Sequence, residues 1–346
     1  MLTGSFHWQP VHTVYVPAHR WSVRTVREWG EQARALLEEH LAGPEELAEV
    51  FGVPLGLARA VHPRVAAKLA TDPIEDVRID FEDGYGTRPA EEDGHAEAAA
   101  EAVLELHRTG GLPRRWGLRV KSFADDEERS LRTLALFLER TGVLPGCTVT
   151  FPKVLEEPAV HRFAERLPAG AGFELQVEDP RTLPFLRPGL HERLTGAHFG
   201  VFDYTAALGL PPHEQRLDHP ACDHARHLMQ TAFATTPVEL SDGSLAAAPA
   251  SEATADVHAL WARHAQLVRH SLGNGFYQGW DMHPSHLVSR FATVYAFHLA
   301  RYDEYAARVR AWEEQRQVGG VLDEPATIKS LAAALRRADS ALGHAG

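Results

Sequence analysis

At 346 residues the chain is long enough for one large α/β barrel of roughly 250 residues plus extensions. Its 44% hydrophobic and 24% charged residues match an ordinary globular enzyme. A formal net charge of −12, with basic runs no longer than Arg114-Arg115 and Arg336-Arg337, excludes the clustered positive surface that nucleic-acid binding requires.

The first ten residues carry neither a positive region nor an apolar core, so no secretory leader is expected. Val14–Ala18 is the first β-like run, stopped by Pro17, and Val23–Leu41 follows with apolar residues at helical spacing. Gly43-Pro44 breaks that helix. A short one is predicted over Glu45–Phe51 and another over Pro63–Ala70, with Pro63 in its first turn. Val77–Asp83 alternates as a strand, and Gly84-Tyr85-Gly86 reads as a turn, because no GxGxxG is present. Helix Glu91–His107, strand run Gly117–Ser122, helix Asp125–Thr141 and strand run Thr148–Val154 continue the chain. Helix Ala159–Leu167, strand run Phe173–Asp179, helix Thr182–Leu186 and strand run Ala197–Tyr204 come next. Helix Pro220–Ala234, strand run Thr236–Ser241, helix Asp256–Leu272 and strand run Phe276–His283 complete eight strand units. Pro284–Gln315 reads as a long helix, Val318-Gly319-Gly320 as flexible, and Ala326–Ala341 as a last helix. Eight alternating units predict a parallel sheet closed into a (β/α)8 barrel. The expected division is a barrel domain over residues 1–290 and a C-terminal helical extension over 291–346. Cys147 and Cys222, far apart and outside any CxxC, exclude a disulfide framework and a cysteine zinc site, and fit a reducing cytoplasm. No apolar run approaches the ~20 residues needed to span a membrane.

Five of the eight runs bear polar or charged residues at or near their carboxyl ends, where barrel enzymes place their active sites. They are Asp80-Phe81-Glu82-Asp83, Arg119-Val120-Lys121, Pro152-Lys153, Glu178-Asp179 and Asp203. Glu178 and Asp203 each end an apolar run, so both carboxylates are expected in one crevice. With waters and substrate oxygens they would make a hard-cation site for Mg²⁺ or Mn²⁺; otherwise each caps a helix or pairs with a rim arginine. Arg119 lies inside a strand and needs a partner, either a substrate carboxylate or Asp80 or Glu82. Alternation sends Asp80 and Glu82 to one face and Phe81 and Asp83 to the other. Glu82 would then orient a metal-bound water, hold Arg119 or act as an acid/base, while Asp83 caps the following turn. Lys153 reads as rim electrostatics rather than a Schiff-base lysine. His283 either bonds substrate or anchors its turn, and it joins Asp281 and Glu82 as an acid/base candidate. Among 21 histidines no HExxH occurs, and His219, His224 and His227 make a poor zinc site.

Taken in order over about residues 13–290, these pieces resemble one known superfamily: Val14-Tyr15-Val16-Pro17-Ala18-His19-Arg20, Asp80-Phe81-Glu82-Asp83, Leu118-Arg119-Val120, Phe151-Pro152-Lys153-Val154, Val177-Glu178, Phe199-Gly200-Val201-Phe202-Asp203 and His283-Pro284. The superfamily is that of HpcH/HpaI aldolases and citrate lyase β-subunits, in its citrate lyase β-like branch. The resemblance implies a TIM barrel with Mg²⁺ (or Mn²⁺) on Glu178 and Asp203. It implies catalytic roles for Arg119 and Glu82, and substrate contacts from Arg119, Lys153 and Arg20. The implied activity is a carbon–carbon lyase working through an enolate on a 2-oxo acid or an acyl-CoA thioester, in a homo-oligomer. The chain departs from the pattern at Asp83, where HpaI-type aldolases carry a histidine, and at His19. It also has extra length between Val23 and Asp76 and after Asp203, and no cluster for CoA phosphates. A CoA-independent aldolase cleaving a hydroxy-2-oxo acid, and a non-catalytic barrel binding protein, are the alternatives.

Overall fold

A computed structural model describes residues 8–314 and 324–343. The strands are β1 His12–Pro17, β2 Asp76–Asp80, β3 Arg115–Arg119, β4 Cys147–Phe151, β5 Gly172–Val177, β6 Leu194–Phe199, β7 Glu239–Ser241 and β8 Gly279–Asp281. Every pairing is parallel, in the order β7-β6-β5-β4-β3-β2-β1-β8. The remaining gap is bridged by a parallel contact between Ser241 and Gln278, and the sheet forms a (β/α)8 TIM barrel.

The helices are α1 Thr25–His40, α2 Pro44–Phe51, α3 Leu55–Thr71, α4 Glu92–Thr109, α5 Phe123–Thr141, α6 Glu157–Arg166, α7 Val201–Ala207, α8 Pro220–Phe233, α9 Thr254–Gly273, α10 Pro284–Glu313 and α11 Pro325–Leu342. Prolines stand in the first turns of α2, α6, α8, α10 and α11, where a missing N–H costs no helical bond. The side chains of Ser122, His219 and His283 accept backbone N–H groups at the starts of α5, α8 and α10.

Strand parity separates two interiors. Val77 and Ile79, Trp116 and Leu118, Val149 and Phe151, Phe173 and Leu175, and Ala197 and Phe199 are buried in the apolar core that joins strands to helices. The alternate positions, among them Arg78, Thr150, Glu174 and His198, are also buried and bond to one another across the barrel axis. The inside of this barrel is therefore polar, and its apolar mass lies outside the sheet.

Several elements differ from the sequence reading. The run Ala197–Tyr204 divides, with β6 ending at Phe199 and α7 starting at Val201, so Asp203 sits in a first helical turn rather than at a strand end. The helix expected from Pro63 begins at Leu55 and carries Pro63 in its interior. In place of the helix expected over Thr182–Leu186 there is a 3₁₀ turn over Pro180–Phe185. The long helix expected from Pro284 is present as α10, and α11 packs against it. The stretch Val318-Gly319-Gly320 lies outside the described residues. Among the described residues no helix is long and apolar enough to cross a membrane.

Candidate active site

A cavity of about 590 Å³ opens at the carboxyl ends of the strands. Tyr15 and Trp280, the inward residues of β1 and β8, stand in its wall with ring centroids 4.7 Å apart. Arg119, Glu178 and Asp203 also line it, with Arg20, Asp83 and His283. Trp29 and Gln32 of α1, Phe202 of α7 and Met282 after β8 complete much of the wall. The three residues most favoured by the sequence thus meet in one place, at the expected end of the barrel.

Arg119 is the last residue of β3, in register with Asp80 at the end of β2. Its Nε and Nη2 donate to the two Asp80 oxygens at 2.7 and 2.9 Å, a bidentate fork. Nη1 lies 3.2 Å from Glu82 Oε2, and the guanidinium carbon is 4.9 Å from the centre of the Tyr15 ring. Most of the Arg119 fork is therefore committed to protein acids. Arg20, by contrast, makes no ion pair with any described residue and faces the cavity.

Asp80 also ties down its own turn: Oδ1 accepts the Glu82 N–H and Oδ2 the Gly84 N–H, both at 2.9 Å. The turn cap expected of Asp83 is thus supplied by Asp80. A side chain at Gly84 would meet Asp80 Oδ2 at 2.7 Å, which is why glycine stands there. Asp83 instead accepts from Lys153 Nζ at 2.9 Å, and the same ammonium reaches Glu82 Oε1 at 2.5 Å. Lys153 has a φ of 47°, and its N–H donates to Glu178 Oε1 at 2.7 Å. Glu82 and Lys153 stand behind the cavity wall rather than in it.

Glu178 follows β5 directly and is buried. A Cβ at Gly200 would lie 2.6 Å from its Oε2, so the close approach of the two segments requires glycine. Burial pushes the Glu178 carboxyl up to about 8, and the charges of Glu82 and Asp203 push the same way. Burial likewise raises Glu82 to about 7 against the pull of Arg119, and raises Asp203. Asp83 moves down: burial works against it, but its contacts with Glu82, Arg119 and Lys153 prevail. The donors are carboxylate oxygens crowded together with too few cations to satisfy them. That set suits Mg²⁺ or Mn²⁺, which take hard oxygen ligands.

Asp281 is removed from the acid/base candidates. Parity on β8 turns Trp280 into the cavity and Asp281 out toward the helices, where Asp281 is fully buried. Arg290 Nη2 donates to it at 2.8 Å and His12 Nδ1 lies 3.0 Å away. Burial works against its charge, yet Arg290 and these histidines hold its carboxyl well below the usual range. His264, Asp281 and His286 bring three potential ligand atoms within 4.8 Å of one another. Arg290 already neutralises the carboxylate there, and His286 Nε2 lies 2.8 Å from the Ala247 carbonyl oxygen, so the group reads as a staple between β8, α9 and α10. His283 anchors its turn, its Nδ1 accepting the Ser285 N–H, while its ring also meets the cavity. His219 is a helix cap.

Sequence reasoning missed Tyr15, Trp280, Trp29 and Gly200. Tyr15 and Trp280 sit on strands at the same parity as polar inward residues, which was the available signal. Trp29 is carried by α1, and nothing in a helical pattern distinguishes a cavity wall from a core face.

The chain matches, over residues 4–342, the family model described as Domain of unknown function (DUF6986), and it belongs to that family. No curated protein matches it. Among solved structures it is similar to a citrate lyase of Burkholderia xenovorans LB400, with 20% identity, 97% of this chain and 93% of that chain covered, and a TM-score of 0.64. It is also similar to the malate synthase of Haloferax volcanii in a magnesium/glyoxylate complex, with 15% identity, 94% and 97% coverage, and a TM-score of 0.51. The same enzyme in a pyruvate/acetyl-CoA ternary complex matches at 15% identity, over 79% and 84% of the chains, with a TM-score of 0.51. At these identities the likeness is one of fold, and the resemblance read from the sequence is borne out at that level.

Proposed function

We propose that the protein is a divalent-metal-dependent carbon–carbon lyase acting on a 2-oxo acid through an enolate, with Glu178 and Asp203 as protein ligands of Mg²⁺ or Mn²⁺. The observation that carries this reading is the meeting of buried Glu178 and the more open Asp203 in one cavity wall, with buried Glu82 beside them. Glu178, Glu82 and Asp203 are all pushed up, which is the electrostatic condition of a site short of a cation. When bound, the cation would polarise a substrate keto group and stabilise charge gathering on an enolate oxygen, worth on the order of several kcal/mol. Arg20, the uncommitted guanidinium of the wall, takes the substrate carboxylate. Arg119, fixed by Asp80, supplies positive potential beside Tyr15. Glu82, at about 7, stands behind the wall against Lys153 and Arg119, so a proton it exchanges with substrate passes through an intervening water. Trp29, Phe202, Trp280 and Met282 give the wall its apolar part. The H. volcanii enzyme of the same fold is a precedent for magnesium with a small 2-oxo acid.

A free hydroxy-2-oxo acid is favoured over a CoA thioester by the charges of the wall. Among the described residues its arginines are Arg119 and Arg20, and it contains Glu28, Asp83 and Asp203. Nucleotide phosphates call for more positive charge than this.

Proton NMR in D₂O tests the reading directly. The methyl protons of pyruvate are expected to exchange in the presence of Mn²⁺ or Mg²⁺, and at least about 100-fold more slowly in Glu178→Gln and Asp203→Asn. Exchange that ignores both the metal and both substitutions sinks the proposal. Mass spectrometry of hydroxy-2-oxo acid and thioester panels then separates the two substrate classes.

A further inference from the structure

We infer that Lys153 is the resident counter-ion of the acid cluster, a positioning residue that stands in for part of the metal's charge rather than a group that touches substrate. The inference rests on the reading of Glu178 and Asp203 as metal ligands, and it begins from geometry. Lys153 and Thr235 are the two non-glycine residues at positive φ among the described residues. A lysine gains nothing intrinsic from the left-handed region, so its conformation is imposed by what it holds. At φ 47° the backbone N–H of Lys153 points to Glu178 Oε1, 2.7 Å away. Its side chain meanwhile crosses from the end of β4 to the turn after β2, where Nζ lies 2.5 Å from Glu82 Oε1 and 2.9 Å from Asp83 Oδ1. One residue therefore grips three acids from two other segments of the barrel rim.

The charges agree with this role. Arg119 is spent chiefly on Asp80, with Glu82 beside its remaining nitrogen. Glu82, Asp83, Glu178 and Asp203 are left with Lys153 as the next cation within reach. The ammonium already has two carboxylate partners and is absent from the cavity wall, which leaves it neither free for a substrate carboxylate nor unprotonated for a Schiff base. A divalent ion on Glu178 and Asp203 and the Lys153 ammonium draw on one pool of negative charge. They therefore oppose each other through space, while both stabilise the cluster against its own repulsion.

Lys153→Met removes the charge and keeps most of the side-chain volume. Without metal, this variant is expected to melt about 3 °C or more below the wild type, with Lys153→Arg close to wild type. Mn²⁺, followed by electron paramagnetic resonance, is expected to bind Lys153→Met about tenfold more tightly, since a competing cation is gone. A purely structural lysine would give the opposite sign, a weaker Mn²⁺ site. Should Lys153→Met fail to fold, Lys153→Gly carries the same comparison, because glycine adopts the left-handed backbone without strain. Equal metal-free melting of wild type and Lys153→Met overturns the assignment, as does weaker Mn²⁺ binding in the variant. So does a borohydride-trapped pyruvate adduct on Lys153. If the wild type binds no Mn²⁺ at all, the metal reading falls, and the metal-free melting alone decides for or against the counter-ion.

Discussion

Glu174 and Glu178 leave the same strand segment four residues apart and are equally buried, each 3% exposed, yet their carboxyl groups behave oppositely. Glu174, inside the barrel, accepts Arg78 Nε and Nη2 at 2.8 and 2.7 Å, and His198 Nε2 lies 3.0 Å away. Burial alone would raise it, but Arg78 and His198 hold it well below the usual carboxylate range. Glu178, at the mouth, has one backbone N–H and acidic neighbours, and burial takes it up to about 8. The difference is one of partners, not depth. A buried acid whose cation is built into the fold is scaffold, and one left without its cation is poised for a ligand.

The comparison breaks most visibly from the scaffold side. Arg78→Met leaves Asp76 and Glu174 buried without their shared guanidinium. A loss of about 3–5 kcal/mol is expected in denaturant unfolding, as for other half-broken buried ion pairs. A loss under about 1 kcal/mol would show that the interior network does not hold the barrel.

The pH dependence of stability separates the two acids next. The Glu178 carboxyl rises from 4.5 in the unfolded chain to about 8 in the fold, and Glu82 from 4.5 to about 7. The stability they contribute is present below about pH 4.5 and is lost as pH climbs through 7 to 8. Metal-free protein should therefore lose on the order of a few kcal/mol between about pH 5 and 8.5. Glu174 has the reverse sign, its contribution being lost only on acidification below the ordinary carboxylate range. Glu178→Gln should flatten the neutral limb and gain about 1–3 kcal/mol at pH 8.5, while leaving the acid limb in place. A melting curve equally steep in wild type and variant would mean that Glu178 is not strained by its surroundings.

The outward half of each strand was legible from the residues: Val77-Arg78-Ile79-Asp80 and Phe173-Glu174-Leu175-Gln176 alternate plainly. What one strand cannot say is whether its polar face meets water or the inside of a barrel. Arg78, Glu174 and His198 were therefore visible but uninterpreted, although they form the interior network. Arg119, Glu178 and Asp203, which line the cavity, drew notice in the sequence because charge at an apolar boundary is conspicuous. Asp203 was misplaced because Val201, Phe202 and Tyr204 favour strand locally, while the tertiary context makes a helical turn after Gly200. Asp281 was misjudged by proximity to a strand end, where parity against Trp280 decides the side. The commitment of Arg119 to Asp80 depends on the register of two strands, and no pattern within one strand carries it.

Gly200→Ala should give the smallest effect and the finest resolution between the two acids. The added methyl carbon would sit 2.6 Å from both Cβ and Oε2 of Glu178, so either the carboxylate or the start of α7 must move. Overpacking of this kind costs about 1–3 kcal/mol. Because Glu178 lacks the fork that locks Glu174 onto Arg78, its side chain is the softer element and should swing first. Mn²⁺ affinity is then expected to fall about tenfold, while denaturant unfolding changes by no more than the overpacking cost. Asp203 rides on α7 three residues after Gly200 while Glu178 follows β5, so a shift of α7 instead would carry Asp203 away from Glu178 and weaken Mn²⁺ binding as well. A fall in stability with unchanged Mn²⁺ affinity would show that neither carboxylate moved, and the mouth would prove as rigid as the interior beneath it.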